Sequence, residues 1–444
     1  MSLLAAPATI DLGGRSVATW TYNGTVPGPE LRLQAGQVLR IRLDNVLPAA
    51  STIHWHGIAL PNAMDGIPGL TQPPVEPGGQ FSYEFTAPNP GTYFYHPHVG
   101  LQSDRGLYGP LIIEDPSEPG RYDREVVVVL DDWTDGVGPA PEAILSRLRR
   151  GGMRHMATMP GMPGMHHTGG GAYTMDRPLG RDTGDVRYPL YLVNGRTPRS
   201  PTVFQARPRE RVRLRIINAG SDTAFRVALG GHRLTVTHAD GFPVRPATGD
   251  ALLVGMGERY DAVVELGDGV FPLVAVAQGK SGRAFAVVRT SRGNPPRAGV
   301  RPAELSPWLV TVADLQAAAS ADLGERSPSR THKLVLDGDM ASYRWTINGQ
   351  SHHGAAPLEV RHGERVRLVF ENRSMMFHPM HLHGHTFQVI GAGRPGPRKD
   401  TVIVRPSERI AVDFEAGNRG RWMLHCHNAY HQAAGMMTTL SYLP

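Results

Sequence analysis

The sequence predicts an all-β protein built from three similar domains, and three observations support this. The chain has 444 residues, which is long for a single core. Its 38 prolines and 52 glycines favour short strands and turns over long helices. One pattern recurs three times: an Asn-Gly pair, then a strand of alternating apolar residues that ends in asparagine. We therefore expect three antiparallel β-sandwiches, at residues 1–118, 119–295 and 296–444.

The repeated unit begins at an Asn-Gly pair, which is the strongest short hairpin signal. The three copies of this unit span residues 23–45, 194–218 and 348–372. A second shared strand pattern closes each copy, at residues 79–85, 258–264 and 408–414. Glycine- and proline-containing loops at 115–120 and 291–302 are the predicted boundaries between domains.

The stretch around Cys426, the only cysteine, carries the clearest chemical signal. Histidines flank it at 425 and 427, His431 follows five residues later and Met436 ten. On a strand, His425 and His427 point one way and Cys426 the other. A thiolate, two imidazoles and a weak thioether form a blue-copper site, for which Cys426, His431 and Met436 supply three ligands. The alternative is a buried free cysteine with surface histidines.

Four His-x-His pairs occupy equivalent places in the first and third repeats, whereas the second repeat has apolar residues there. On a strand, the two residues of a pair lie about 6.7 Å apart, which suits ligands of neighbouring metals. Eight neutral imidazoles favour copper, with zinc as the competing choice. We expect domains 1 and 3 to pack together around this cluster, with domain 2 as a spacer. The pairs are His54 and His56, His96 and His98, His381 and His383, and His425 and His427.

The His-Cys-His link also predicts electron transfer, because Cys426 of one site lies between two ligands of the other. Electrons arriving singly at the thiolate site have a covalent route of a few bonds into the cluster. Such a cluster can pass four electrons to dioxygen.

These motifs resemble those of the multicopper oxidases: laccases, bilirubin oxidases, ascorbate oxidases and the cuprous oxidases of bacterial copper resistance. The resemblance covers almost the whole chain. It implies three cupredoxin-like Greek-key sandwiches, four copper ions as cofactor, and the coupling of four one-electron oxidations to the reduction of O2 to water.

The resemblance also implies a ligand for each position. The type 1 copper takes His378, Cys426 and His431, with Met436 axial. The type 2 copper takes His54 and His381. The type 3 pair takes His56, His96 and His427 on one ion and His98, His383 and His425 on the other. His385 is left over as an ordinary polar residue.

Two further positions concern protons, since reducing O2 to water consumes four of them. Asp65 matches an acidic residue that the family places near the cluster's water channel. We therefore predict that Asp65, like Cys426, has a catalytic role. A turn-capping aspartate is the alternative. Gln432 stands where bacterial members often have glutamate, which leaves open what replaces that acid.

A methionine-rich segment at residues 153–167 lies in domain 2. Its prolines and glycines exclude a helix, and thioethers select Cu(I). We predict a loop that binds substrate Cu(I), with a mobile lid as the alternative. Its methionines are Met153, Met156, Met159, Met162 and Met165.

The predicted substrates are phenols or aromatic amines, as for a laccase, and the alternative is a cuprous oxidase in copper tolerance. The methionine segment favours Cu(I), whereas the lack of a carboxylate at 374–377, before His378, argues against it. A copper-free structural protein requires lost ligands, and none is lost. An electron carrier or nitrite reductase needs fewer histidine pairs or a different distribution of them between domains.

Composition excludes several other classes. The net charge is +6, but the arginines are spread along the chain, so we predict no nucleic-acid partner. No apolar stretch approaches the 18 residues of a membrane span. We expect a monomer, exported with its signal peptide absent from this sequence; a cytoplasmic location is the alternative.

Overall fold

Three pairs of β-sheets make up the protein in the computed structural model, which describes residues 1–118, 120–151, 177–391 and 393–444. The predicted Cu(I)-binding methionines, Met153 to Met165, lie outside the described residues. No helix within these ranges is long and apolar enough to cross a bilayer.

The first pair consists of two four-stranded sheets, in the orders β2-β1-β4-β6 and β3-β8-β7-β5. Its strands are β1 (Ser2–Asp11), β2 (Ser16–Tyr22), β3 (Leu31–Gln34), β4 (Val38–Asn45), β5 (His54–His56), β6 (Gln80–Thr86), β7 (Gly91–His96) and β8 (Gly109–Glu114).

The second pair consists of two six-stranded sheets, in the orders β10-β9-β12-β17-β14-β15 and β11-β19-β18-β13-β16-β20. Its elements are β9 (Arg124–Trp133), α1 (Pro141–Gly151), β10 (Leu190–Val193), β11 (Thr202–Gln205), β12 (Arg211–Asn218), β13 (Phe225–Leu229), β14 (Leu234–Ala239), β15 (Phe242–Gly249), β16 (Ala251–Val254), β17 (Arg259–Glu265), β18 (Val270–Ala277), β19 (Arg283–Arg289) and β20 (Leu309–Val310).

The third pair has six strands in the order β22-β21-β24-β29-β26-β27 and five in the order β23-β31-β30-β25-β28. Its elements are β21 (Arg330–Asp339), β22 (Arg344–Ile347), β23 (Leu358–Val360), β24 (Arg365–Asn372), β25 (His378–Leu382), β26 (Phe387–Ile390), β27 (Pro395–Lys399), β28 (Thr401–Val404), β29 (Arg409–Glu415), β30 (Arg421–Cys426), α2 (Ala429–Ala433) and β31 (Met437–Tyr442).

The expectation of purely antiparallel sheets is wrong, because parallel strand pairs recur in every unit. β1 pairs in parallel with β4, β9 with β12 and β21 with β24. Parallel neighbours need a crossover connection, which the intervening strands of the opposite sheet supply. β20 lies beyond residue 295, the predicted end of domain 2, but it pairs with β16 of the second unit. The domain boundaries therefore stay predictions.

The predicted Asn-Gly turns are present in all three units. Asn23, Asn194 and Asn348 adopt φ of 54°, 50° and 54°, and the glycine after each is also at positive φ. Asparagine and glycine tolerate this left-handed conformation, which a two-residue hairpin turn requires.

The asparagine that ends the repeat has the same structural role in each unit. Asn45, Asn218 and Asn372 are at most 1% exposed, and each side-chain amide donates to two backbone carbonyls. For Asn372 these belong to Met376 and Val404, at 2.7 and 3.0 Å. The bonds close the loop before β5, β13 and β25, so they set where the histidine-bearing strands begin.

A buried ionic network joins domain 2 to domain 1. Arg213 and Arg215 both contact Asp261, and Thr92 of β7 donates to the same carboxylate at 2.7 Å. The two arginine side chains are 3% exposed. The middle unit therefore contacts its neighbour through specific polar bonds.

Candidate metal centres

The histidine cluster forms where two strands of the first unit meet two strands of the third. β5 pairs with β7, which sets His54 opposite His96. β25 pairs with β30, which sets His381 opposite His425. Only the pair at 54 and 56 lies wholly on a strand; in the other pairs the second histidine follows the strand end. The two rings of a pair are nevertheless only 4.8–6.1 Å apart between centroids.

The eight histidines converge as the sequence predicted. The ring centroids of His54 and His383 are 3.9 Å apart, although these residues belong to different domains. The rings of His56 and His381 stack at the same distance. All eight side chains are buried, none more than 8% exposed. Domains 1 and 3 thus pack directly against each other at this site.

Five of the eight rings have an oxygen acceptor at Nδ1, which leaves Nε2 to face the other rings. A ring N–H that donates at Nδ1 leaves the lone pair on Nε2, the tautomer that binds a metal there. These tautomers follow from the hydrogen-bond geometry. The Nδ1 acceptors are the Asp65 carbonyl for His54, Pro97 for His96, Asp400 for His381, the Asp65 carboxylate for His383 and Cys426 for His425.

Unpartnered nitrogens in the cluster fit a metal site. Nε2 of His54, His96 and His381, Nδ1 of His56 and both nitrogens of His427 are buried without a hydrogen-bond partner among the described residues. Such buried polar atoms are rare in native proteins. Burial lowers the pKa of seven of the eight rings, so these are held in the neutral form that binds metal. Imidazoles without a carboxylate ligand suit copper.

The second centre surrounds Cys426. Its Sγ lies 3.6 Å from Nδ1 of His378 and 3.7 Å from Nδ1 of His431, and these two nitrogens are 3.1 Å apart. The side chain of Asn428 caps α2 by accepting from the N–H of His431, which turns that ring back towards the sulfur. Met436 is fully buried, and its carbonyl accepts the N–H of Cys426 at 3.0 Å.

A carboxylate from domain 2 lies on the outer side of this centre. Asp185 accepts from Nε2 of His431 at 3.0 Å and from the hydroxyl of Tyr343 at 2.6 Å. Trp345 packs against the same imidazole, with centroids 4.1 Å apart. The sequence around His378 contains no acid, and 246 residues separate Asp185 from His431. Reasoning from neighbouring residues therefore missed this carboxylate.

Asp65 is fully buried and contacts histidines of the cluster from both outer domains. Its carboxylate lies 3.1 Å from Nδ1 of His383 and 3.2 Å from Nδ1 of His54. A carboxylate in this position orients metal-binding rings and raises their basicity. The side chain therefore acts on the cluster, which favours the catalytic interpretation over that of a turn cap.

Asp400 is a second such carboxylate, and the sequence analysis missed it. It accepts from Nε2 of His56 at 3.1 Å, while its carbonyl accepts from His381. Arg259 of domain 2 binds both carboxylate oxygens, at 2.8 and 2.6 Å, and neither side chain is exposed. Lys399, one of three lysines, is also buried beside Asp240 and Glu258. A Lys-Asp pair directly before the β-branched run 401–404 was the available signal.

The remaining predicted positions have structural surroundings. His385 bonds to the hydroxyl of Tyr442 at 2.7 Å and to the carbonyl of His383. This agrees with an ordinary polar role. The amide of Gln432 lies 3.3 Å from Nδ1 of His98.

Fold and site together define a copper-binding protein with three sandwiches, a thiolate centre and a histidine cluster. Three stretches of the chain, residues 5–118, 124–293 and 325–444, each match the family described as multicopper oxidase. The chain is 50% identical to multicopper oxidase MmcO of Mycobacterium tuberculosis, covering 100% of this chain and 86% of the relative. It is 30% identical to a copper resistance protein A homolog of Pseudomonas syringae, covering 96% and 89%.

A solved structure agrees with these matches. The laccase from Botrytis aclada superposes with a TM-score of 0.76 at 26% identity, covering 99% of this chain and 86% of that one. The chain belongs to the multicopper oxidase family. Members are copper-dependent oxidoreductases that bind four copper ions and use O2 as the acceptor.

We predict that Arg259→Met lowers both stability and copper content. Removing the guanidinium leaves Asp400 as an unpaired buried charge, which costs about 3–5 kcal/mol of unfolding free energy. It also frees the carboxylate that holds His56 and His381. Urea unfolding of the metal-free protein and the copper-to-protein ratio measure the two effects.

Arg213→Met is the matched control, because Arg213 is a similarly buried arginine that pairs with Asp261 and has no contact with the eight-histidine cluster. We expect a comparable loss of stability with full copper loading. Equal copper loss in both variants would reduce Arg259 to a purely structural residue.

Proposed function

We propose that the twelve ligands implied by the family resemblance hold the four copper ions in this chain. The carrying observation is that donor atoms gather in two of the expected combinations. His378, Cys426 and His431 have ligand atoms within 4.8 Å of one another, as do His98, His383 and His425. These are the expected protein ligands of the type 1 ion, apart from axial Met436, and of one type 3 ion. His54 groups with His381 and His383, which supports a type 2 ion bound by His54 and His381.

Bound copper supplies the one-electron redox chemistry and the reaction with O2. The role of the protein chain is to hold the two centres in a fixed position relative to each other. Cys426 faces the first centre while its neighbours His425 and His427 face the second, so one short stretch of backbone links them. Burial of both centres excludes bulk water and keeps the rings neutral.

Substituting Cys426 with serine tests this assignment. We expect Cys426→Ser to lose the intense blue absorption and oxidase activity, because a hydroxyl is not the soft anionic ligand that the charge-transfer band requires. Circular dichroism should stay unchanged. His385→Asn, at a buried histidine outside the ligand set, should keep the blue band. A blue, active Cys426→Ser protein would refute the assignment.

We propose phenols and aromatic amines as substrates, with His431 as the point of electron entry. Oxidising a phenol by one electron releases a proton, and Asp185 beside His431 is a carboxylate that can accept it. Met375, three residues before His378, is 61% exposed, so the surface approaches this centre. The likeness to a fungal laccase supports the same substrate class.

Cu(I) is the second candidate substrate, and the structure adds a specific reason for it. The sequence lacked a carboxylate near His378, but Asp185 lies at the centre and Asp182 pairs through its backbone with Met376. The thioethers of nearby methionines are soft ligands that select Cu(I), and the carboxylates add negative charge that attracts a cation. The relative named for copper resistance favours the same substrate.

Specificity constants separate the two substrates. We expect Asp185→Asn to lower kcat/KM for a phenol about tenfold, or about 1.4 kcal/mol of transition-state stabilisation.

Deleting residues 153–167 should leave phenol oxidation equal or higher, since the methionines serve Cu(I). If the deletion lowers kcat/KM for Cu(I) alone, and Cu(I) is the better substrate of the parent, the cuprous oxidase alternative holds.

Asp65 is proposed to act in the dioxygen half-reaction, because it contacts ligand rings of the cluster and none of the Cys426 centre. We expect Asp65→Asn to slow reoxidation by O2 while anaerobic reduction of the type 1 ion stays near the parent rate. Stopped-flow absorbance follows both steps. Asp44→Asn, on a partly exposed strand residue, is the control. Unchanged reoxidation would leave Asp65 a structural residue.

We also propose an exported monomer. The exposed large apolar side chains, such as Val203, Trp308 and Met375, are few and occur singly along the sequence, as on ordinary monomer surfaces. Export follows from the family resemblance. Light scattering and cell fractionation test the two statements.

A further inference from the structure

Gln432 leaves one side of the histidine cluster without an acid from the third domain. Its neutral amide lies 3.3 Å from Nδ1 of His98 and can hold that ring. An amide cannot supply a proton near neutral pH. The protons that O2 reduction consumes on this side must therefore come from another group.

A narrow pocket reaches the cluster beside Gln432. The volume open to the centre of a water molecule is about 10 Å³, close to the lower limit for holding one water. Its lining combines rings of the cluster with residues of all three domains. The residues relevant here are His96, His98, His427, Gln432, Tyr108 and the exposed Gly100.

Tyr108 connects this pocket to a buried acid. Its hydroxyl donates to Oδ2 of Asp131 at 2.7 Å. Tyr108 is 1% exposed and Asp131 is 2% exposed. Asp131 lies near the end of β9, the first strand of the copper-free domain 2.

Two other buried aspartates of this region, Asp222 and Asp135, each pair with a cation. Lys280 forms an ion pair with Asp222, and Arg105 with Asp135. No ion pair to Asp131 exists among the described residues. Burial and the nearby Asp132 raise the pKa of Asp131 well above its ordinary value. Burial therefore favours the protonated carboxyl, and Asp131 bonds to Tyr108, a residue of the pocket lining.

We propose that Asp131 and Tyr108 form a proton relay into the pocket and replace the acid that is absent at position 432. For the transfer, the Tyr108 O–H turns from Asp131 to water in the pocket, and the Asp131 O–H donates to the Tyr108 oxygen in its place. The Asp131 proton then moves to that oxygen as the Tyr108 proton moves to the water. The Asp131 carboxylate regains a proton by the reverse path, from water entering near Gly100, between turnovers. The relay rests on the proposed copper ligands, since His96, His98 and His427 are the rings that it serves.

The test uses the copper-loaded full chain and two variants of the relay. Asp131→Asn and Tyr108→Phe should each slow reoxidation of the reduced enzyme by O2 at least about tenfold. Anaerobic reduction by substrate, copper content and the blue band should match the parent. In the copper-free protein, infrared spectroscopy should show a protonated carboxyl band that Asp131→Asn diminishes.

Asp104→Asn is the matched control. Asp104 is also a buried acid with a raised pKa, but it bonds to Tyr188 and Tyr430 and not to a residue of the pocket. We expect this variant to reoxidise at the parent rate. If Asp131→Asn and Asp104→Asn slow reoxidation equally, loss of a buried acid disturbs packing and the relay is refuted.

A rescue variant separates proton supply from structural damage. Adding Gln432→Glu to Asp131→Asn places an acid in the same pocket and should restore most of the reoxidation rate. Normal reoxidation in Asp131→Asn, or slow reoxidation without rescue, overturns the relay. A parent protein that binds no copper or shows no blue band would instead contradict the proposed function.

Discussion

Alternation of side chains about Cys426 is the constraint on which both centres depend. β30 pairs with β25, so Met380 lies opposite Cys426 and His381 opposite His425. The sulfur faces the interior of the third domain with His378 and His431, and the flanking imidazoles face the first domain. A shift of this strand by one residue would exchange the two faces and dismantle both sites. The register is secured from the other side by β31, whose residues pair with β30 from Arg421 to His425.

Burial of many imidazoles in one place is costly, and the outer bonds of the rings show how the fold compensates. A ring whose Nδ1 donates to a carbonyl or carboxylate has only one nitrogen left to satisfy, and that nitrogen points into the cluster. Four of the five acceptors are backbone carbonyls, and those of His96 and His425 belong to the residue that directly follows the histidine. Ligand orientation is therefore built into the local chain path, and Asp65 and Asp400 join rings of different domains.

Domain 2, which carries none of the proposed copper ligands, contributes more than spacing. It supplies Arg259, which neutralises the buried Asp400 under the cluster, and Asp185, which orients His431 at the other centre. It also positions Asn428 through Asp222, whose carboxylate accepts the Asn428 amide at 2.6 Å. Both metal centres thus receive polar contacts from a domain without ligands. Arginine suits the first role, because its planar fork binds a carboxylate through two bonds.

The sequence by itself determined the three-fold repeat, the all-β class and the residues that converge. Asn-Gly turns, alternating strands and His-x-His spacing are local patterns, and their physical consequences hold wherever the strands are placed. Tertiary structure alone decided the parallel strand pairs and the partners of Asp65, Asp185, Arg259, Asp400 and Asp131. These depend on which distant segments meet, and an isolated aspartate or arginine in a sequence carries no periodicity that reveals its partner. A buried carboxylate acquires its function from the charge or ring beside it, and only the packed domains bring the two together.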